Sequence, residues 1–99
     1  MVIEVRQTEV YARWIAGLND DRARARIEVH IYRLSLGNAG DVKPIGEGVS
    51  ELRIDHGPGY RIYMTRRGKA LVVLLCGGDK RTQSKDIATA KALARQLKE

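Results

Sequence analysis

Two arginines on neighbouring predicted strands are the residues best placed for chemistry on a phosphate. In residues Val49–Asp55 and Tyr60–Arg66, apolar and polar side chains alternate and several side chains are β-branched. The turn-forming sequence HGPG joins the two segments. That pattern predicts a β-hairpin, which places Arg53 and Arg61 on facing strands. Guanidinium groups match phosphate oxygens with forked hydrogen bonds and stay charged at any working pH. The hairpin therefore predicts an anion-binding site.

The register of this hairpin supports two interpretations. Opposite arginines on one sheet face have Cβ atoms ~5 Å apart and repel each other, unless an anion binds between them. The alternative is an ordinary exposed sheet face on which Glu51 bridges both arginines. Tyr63 shares this face, because side chains alternate along a strand. The other face is apolar and is expected to contact helices through Leu52, Ile54, Tyr60 and Ile62.

A second basic group follows the next strand, in the sequence LLCGGDKRTQSKDIATAKAL. Lys80 and Arg81 lie at a corner between an apolar strand and a helix. In an antiparallel meander this corner lies near the turn before Tyr60, so Lys80 is expected at the rim of the arginine face. The glycines at 77–78 allow backbone N–H groups to approach an anion, although the spacing is not that of a nucleotide-binding loop. The alternative is a turn with solvated charges.

The remaining pattern predicts an α+β fold in one domain, residues 1–99, with the order β-α-α-β-β-β-β-α. Further elements are a strand at 2–6, a helix from Glu9, a helix at about 21–36, an edge or bulged strand at 41–45, a strand at 69–76 and a helix at about 84–97. An antiparallel sheet with helices packed on one face fits this order, and leaves the other face at least partly open. A turn at residues 67–68 would pair Met64 with Leu71 and Ile62 with Val73.

Charge is distributed unevenly along the 99 residues. The net charge is +6, and the first fifty residues contain seven basic and seven acidic side chains. The whole excess therefore lies in the second half, which favours an anionic partner such as nucleic acid or an acidic protein, or else is simply the charge of a soluble basic protein. No run could cross a bilayer, no secretory signal is visible, and the lone Cys76 ends an apolar strand. We expect a buried thiol, a cytoplasmic protein, no metal and no cofactor.

The motifs resemble those of a known toxin family. The runs GNAGDVKPIGEGVSELRI, GPGYRIY and LLCGGDKRTQSKDIATAKAL are similar, in order and spacing, to the phage-type HigB toxins. These are also called addiction-module killer proteins and belong to the RelE/ParE superfamily. The resemblance implies a small antiparallel sheet with an N-terminal helical hairpin on one face and a C-terminal helix. It also implies a helix-turn-helix antitoxin, HigA-like, as partner.

The resemblance further implies cleavage of mRNA, usually on the ribosome, without a metal. The 2′-hydroxyl attacks the neighbouring phosphate, so the enzyme must orient the backbone, stabilise negative charge and assist two proton transfers. Basic residues on the two central strands stabilise charge in RelE-type toxins, and here ELR and YRIY supply them. The resemblance therefore implies that Arg53 and Arg61 stabilise charge, and that Lys80 contacts the backbone or donates a proton. Glu51 is expected to act as the base or to orient Arg53, and the Tyr63 ring is expected to stack on a base. Further phosphate contacts are expected from three basic residues, Lys43, Arg81 and Lys85.

The C-terminal sequence departs from the family pattern. Ribosome-dependent members often carry a Tyr or His near the C-terminus, in the active site, whereas this chain ends in ALARQLKE. The sequence therefore does not identify the proton donor, and it leaves more than one activity to consider. ParE-type relatives poison DNA gyrase by protein binding and cut nothing. An inactive toxin-like protein or a plain nucleic-acid-binding module is a third hypothesis.

Overall fold

The computed structural model describes residues 2–97 and confirms the predicted order of elements. The elements are β1 (Glu4–Gln7), α1 (Glu9–Ala16), α2 (Asp21–Ser35), β2 (Val42–Gly46), β3 (Val49–Ile54), β4 (Tyr60–Arg67), β5 (Leu71–Gly78) and α3 (Gln83–Gln96), with a 3₁₀ turn at Lys80–Thr82 before α3. None of the helices within these residues is long and apolar enough to span a bilayer.

Local hydrogen bonds fix the ends of the helical hairpin. Thr8 caps α1, since its Oγ1 accepts from the Tyr11 backbone N–H at 3.1 Å. Asp20 caps α2 in the same way, with Oδ1 3.0 Å from the Ala23 nitrogen. Gly37 ends α2 with φ +93°, where its lack of a Cβ removes the steric cost of the left-handed conformation. The predicted start of α1 at Glu9 is confirmed.

The five strands form one sheet in the order β1-β5-β4-β3-β2. Strands β2 to β5 form an antiparallel meander, but β1 pairs parallel to β5, so the expectation of a wholly antiparallel sheet was wrong at this edge. β2 forms the other edge, and its register shifts between Pro44 and Gly46. Both predicted settings for Pro44, an edge and a bulge, therefore occur, because proline has no N–H to donate to a ladder.

Helices cover both faces of the sheet. α1 and α2 pack on the face that presents Leu52, Ile54, Tyr60, Ile62, Met64, Val72 and Leu74. α3 packs on the opposite face through Ala90 and Ala94, against Val49, Tyr63, Val73, Leu75 and Cys76. The expectation that helices occupy one face and leave the other open was therefore wrong for α3. Cys76 is buried, as predicted, and burial raises the pKa of its thiol to about 12.

The two hairpins differ in how well pattern predicts their register. Between β3 and β4 the predicted pairs are all observed, including Arg53 with Arg61. Between β4 and β5 the prediction was wrong: Met64 pairs with Leu74, and Ile62 with Gly77. The register shifts where Tyr63 pairs with Cys76 and Met64 with Leu74, so Leu75 is the extra residue of a bulge in β5.

The glycine pair at the end of β5 makes room for side chains. A Cβ on Gly77 would lie 2.4 Å from Cε3 of the Trp14 ring, and one on Gly78 would lie 1.9 Å from Oδ2 of Asp86. Both distances are far below van der Waals contact. The pair is thus explained by close packing of α1 and α3 on either side of β5, and the predicted role in approaching an anion is not needed to account for it.

Candidate functional site

The two arginines line one open cleft at the turn end of the β3–β4 hairpin. The cleft has a volume of about 350 Å³ and is lined by Asp41, Arg53, Ile54, Asp55, Gly59, Tyr60 and Arg61. The Arg53 side chain is 43% exposed, and its Nε lies 3.5 Å from Oδ2 of Asp41. Arg53 is therefore accessible from solvent and is held by one carboxylate at the edge of the sheet.

Arg61 is anchored more firmly than Arg53. Its side chain is only 12% exposed, and Nη1 donates to the Gly59 carbonyl at 3.1 Å. Nε lies 3.5 Å from Oε2 of Glu51, and this buried Nε makes no hydrogen bond to any residue the structure describes. The guanidinium is thus fixed by its charge partner and by one carbonyl, and the residue forms part of the cleft wall.

Glu51 is a buried carboxylate inside a polar network. Its Oε2 accepts from the Tyr63 hydroxyl at 3.2 Å and from Nε2 of Gln83 at 2.8 Å. A buried charge needs such partners, because its desolvation is costly. The carboxylate faces Arg61. The prediction that Glu51 orients Arg53 was therefore wrong, because the arginine it orients is Arg61. With a side-chain exposure of 2%, Glu51 is not accessible as a base in this conformation.

Tyr63 cannot stack on a base in this conformation, because its ring is fully buried between the sheet and α3. The prediction of a stacking role is therefore wrong, and the hydroxyl instead holds Glu51. Burial, followed by the charge of Glu51, raises the pKa of the Tyr63 phenol, so the group remains a neutral donor at physiological pH.

The structure brings in site residues that sequence patterns did not single out. Gln83, the first residue of α3, supplies the amide that holds Glu51. Asp41 and Asp55 are exposed carboxylates lining the cleft. The only signal for Gln83 was its place in the GGDKRTQ run, and spacing alone could not show that α3 folds back over Glu51.

The corner after β5 lies beside Arg61. Gly59 separates the two: a Cβ at that position would lie 3.5 Å from Nη1 of Arg61 and 3.7 Å from Cβ of Lys80. Lys80 is exposed and makes no ion pair within residues 2–97. The prediction that Lys80 approaches the rim is therefore confirmed.

Arg81, Lys43 and Lys85 do not line the cleft. Arg81 is 81% exposed and pairs with Asp79, with 2.9 Å between Nη2 and Oδ2. Lys43 lies on β2 opposite Glu51, and Lys85 lies near the start of α3; both are exposed. The structure thus gathers Arg53, Arg61, Glu51 and Lys80, whereas these three basic residues are not part of the cleft lining.

Asp79 fixes the corner that carries Lys80, and its removal is expected to destabilise the fold in a pH-dependent way. Its Oδ1 accepts from the Arg81 backbone N–H at 2.8 Å. The side-chain hydrogen bond from Arg81 lowers the pKa of Asp79, so its stabilisation is present above the ordinary carboxyl pKa and is lost as pH falls. Asp79→Asn keeps an oxygen that accepts from the Arg81 N–H and loses only the ion pair with exposed Arg81, so it should cost roughly 0.5 kcal/mol at pH 7 and much less near pH 2. Urea unfolding at both pH values measures this, and an equal loss at each would contradict it.

Comparison with known proteins decides the family. Residues 13–99 match the model of the phage-derived Gp49-like proteins (DUF891). The chain belongs to the Gp49-like family. It is 48% identical over 97 residues, 98% of each chain, to an uncharacterized protein of Haemophilus influenzae Rd.

Comparison with solved structures addresses the fold. The chain is similar to one in the crystal structure of the toxin–antitoxin complex RelBE2 of Mycobacterium tuberculosis. The TM-score is 0.66 at 22% identity, over 81% of this Gp49-like chain and 100% of that chain. The fold expected from the resemblance to RelE/ParE toxins is thereby confirmed.

Proposed function

We propose that this Gp49-like protein is the toxin of a type II toxin–antitoxin system and inhibits translation by cleaving mRNA, most effectively on the ribosome. The observation that carries the proposal is the Arg61 guanidinium, fixed by Glu51 at the wall of an open cleft beside Arg53 and Lys80. Membership of a phage-derived family and the fold shared with a chain of a toxin–antitoxin complex support it.

The proposed reaction is an intramolecular displacement at a phosphate of the RNA backbone. The 2′-oxygen forms a bond to phosphorus, the bond to the 5′-oxygen breaks, and the products are a 2′,3′-cyclic phosphate and a 5′-hydroxyl. Arg53 and Arg61 stabilise the extra negative charge on the phosphate oxygens, because preorganised donors in a partly dry cleft gain strength. Lys80 contacts the backbone or protonates the leaving oxygen.

We assign the base in this mechanism to an accessible carboxylate at the cleft. Glu51 is buried and committed to Tyr63 and Gln83, so it acts by orienting Arg61. Asp41 and Asp55 line the cleft and are exposed, which makes them the candidate acceptors of the 2′-hydroxyl proton. Lys43, Arg81 and Lys85 contribute a positive surround that attracts RNA.

The partner in this proposal is a helix-turn-helix antitoxin of the HigA type, and the protein acts in the cytoplasm without a cofactor. In this proposal the bound antitoxin keeps the toxin inactive. The structurally similar chain is itself part of the RelBE2 toxin–antitoxin complex, which supports the same kind of assembly here.

Primer extension on a reporter mRNA during brief induction tests the proposal. We expect discrete cuts within translated codons, and their loss from a matched reporter that lacks a start codon would establish dependence on the ribosome. Cuts that persist in the untranslated reporter would indicate cleavage of free RNA. Growth arrest with intact mRNA and an SOS response would contradict cleavage and indicate a ParE-like poison of DNA gyrase, while absence of any growth effect would contradict the toxin proposal altogether.

A further inference from the structure

The outward face of α2, together with its C-cap residue, carries an exposed apolar stripe that belongs to neither core cluster of the described residues. Val29, Tyr32 and Leu36 are large hydrophobic residues with 46%, 65% and 51% of their surface exposed. With exposed Ala25 they recur at intervals of four, three and four residues. This is the spacing of the a and d positions of a heptad, the pattern with which one helix packs along another. We call these four residues the α2 seam.

The α2 seam is distinct from the stripe that builds the core. Ala23, Ile27 and Leu34 of the same helix are buried against the sheet. α2 therefore has two apolar faces, and only one of them has a partner within residues 2–97. Isolated surface hydrophobic residues need no explanation, but a heptad-spaced row along a whole helix is a docking signal.

Charge along the α2 seam indicates what kind of helix would bind. Arg26 and Arg33 follow Ala25 and Tyr32 directly, which are the flanking positions where coiled coils select their partners by charge. Arg22 lies at the N-terminal end of the same row. All three side chains are exposed, and no ion pair involves them in the part of the chain that the structure describes. A partner helix with acidic residues beside its own apolar row would neutralise them.

The α2 seam continues toward the rim of the cleft. A surface depression of about 420 Å³ is lined by Arg22, Ala25, Arg26, Val29 and His56. His56 stacks on Tyr60, with ring centroids 6.5 Å apart, and Tyr60 lines the cleft. A helix lying on the α2 seam would thus reach the loop that supports Arg61.

We propose that the α2 seam binds an acidic, amphipathic helix of the antitoxin, an inference that rests on the proposed function. A second copy of this chain is a poorer occupant. Antiparallel packing of two seams would oppose the Arg26 and Arg33 rows of both copies, and only a parallel pair would bring Glu28 of one copy to Arg33 of the other, so a dimer is an outcome that the test distinguishes. The chemistry of the occupant is therefore apolar along one row and negative beside it.

Escape from neutralisation tests the inference. The antitoxin used is the product of the adjacent gene whose co-expression restores growth. Arg26→Glu/Arg33→Glu is expected to remain toxic yet to be rescued no longer, with affinity for the purified antitoxin reduced roughly 10-fold or more by calorimetry. Tyr32→Asp should behave similarly, because it removes an exposed aromatic anchor without touching the core. Lys91→Glu/Arg95→Glu changes the charge equally on α3, which packs on the opposite face of the sheet from α2, and should be rescued like the wild type.

The outcomes separate the two proposals. A toxic α2 variant that the antitoxin still neutralises and binds with unchanged affinity would overturn the docking inference and leave the toxin function standing. If a variant loses toxicity but keeps wild-type circular dichroism, its measured affinity decides the question in the same way. A wild-type dimer in light scattering that Tyr32→Asp converts to monomer would identify a second copy as the occupant and overturn the inference. A non-toxic wild-type protein would overturn the proposed function and this inference with it.

Discussion

Replacing Arg61 with alanine is expected to reduce mRNA cleavage by about 100-fold or more, the effect of losing one preorganised donor at a developing negative charge. Arg61 is the basic side chain held most firmly at the cleft, by Glu51 and by the Gly59 carbonyl. Alanine removes both the charge and the fixed geometry. The measurement is the single-turnover rate of cutting on ribosomes programmed with a defined mRNA, with enzyme in excess.

Loss of stability is the main confounding effect at this position. Arg61→Ala leaves the Glu51 carboxylate buried without its cation, which costs free energy of folding. Arg61→Lys keeps the positive charge but not the forked donor, so it should fold better and still cut slowly. Arg13→Ala serves as the matched control, because that arginine is 72% exposed on α1 and lies outside the cleft. Wild-type cleavage by folded Arg61→Ala would remove Arg61 from the site.

A double-mutant comparison distinguishes a positioning role for Glu51 from a catalytic one. Glu51→Gln keeps the size of the side chain and removes the charge that holds Arg61. If Glu51 acts through Arg61, its effect on the cleavage rate should largely vanish in the Arg61→Ala background, where the side chain that it holds is absent. Independent, additive losses would instead indicate that Glu51 acts on the RNA directly.

The part of the site that sequence could predict is the part where side chains alternate. Residues 49–55 and 60–66 carry distinct inner and outer side chains, so the pairing that matches their apolar faces is unique, and it places Arg53 opposite Arg61 as observed. Lys80 followed from the topology of a meander, in which the end of one strand returns to the start of its neighbour. These predictions depended on the alternation of side chains along each strand and on the order in which consecutive strands are connected. Both can be read from short stretches of the sequence.

The remaining features of the site depended on how α3 and β5 pack, and the alternation of side chains along the sequence does not encode that packing. Residues 70–76 are almost continuously apolar, so no alternation fixed where the turn after Arg67 ends or marked the bulge at Leu75, and the predicted register was wrong on both sides of that bulge. Glu51 and Tyr63 lie on the polar-looking face, yet α3 covers them. A buried carboxylate is visible only when its partners are known, and Gln83 approaches it from 32 residues along the chain.

Gly77→Ala is expected to destabilise the fold by about 3 kcal/mol, at the upper end of the usual cost of overpacking a filled core. The added Cβ would lie 2.4 Å from two carbons of the Trp14 ring, and that ring is itself packed against Tyr11 and Tyr60. Moving the ring would disturb its packing against both tyrosines, one of which lines the cleft. Urea unfolding of the purified protein measures the loss.

Two further variants identify the Trp14 contact as the cause of the expected loss. Gly17→Ala adds the same methyl group at an exposed helix end, where the Cβ would lie 3.3 Å from the Arg13 carbonyl oxygen, and should change stability by less than roughly 0.5 kcal/mol. Trp14→Leu shortens the side chain that Gly77 accommodates. In that background Gly77→Ala should cost much less than it does in the wild type, because the methyl group then fills space that the indole occupied. An undiminished cost in the double variant would place the strain in the β5 backbone instead of in its contact with α1.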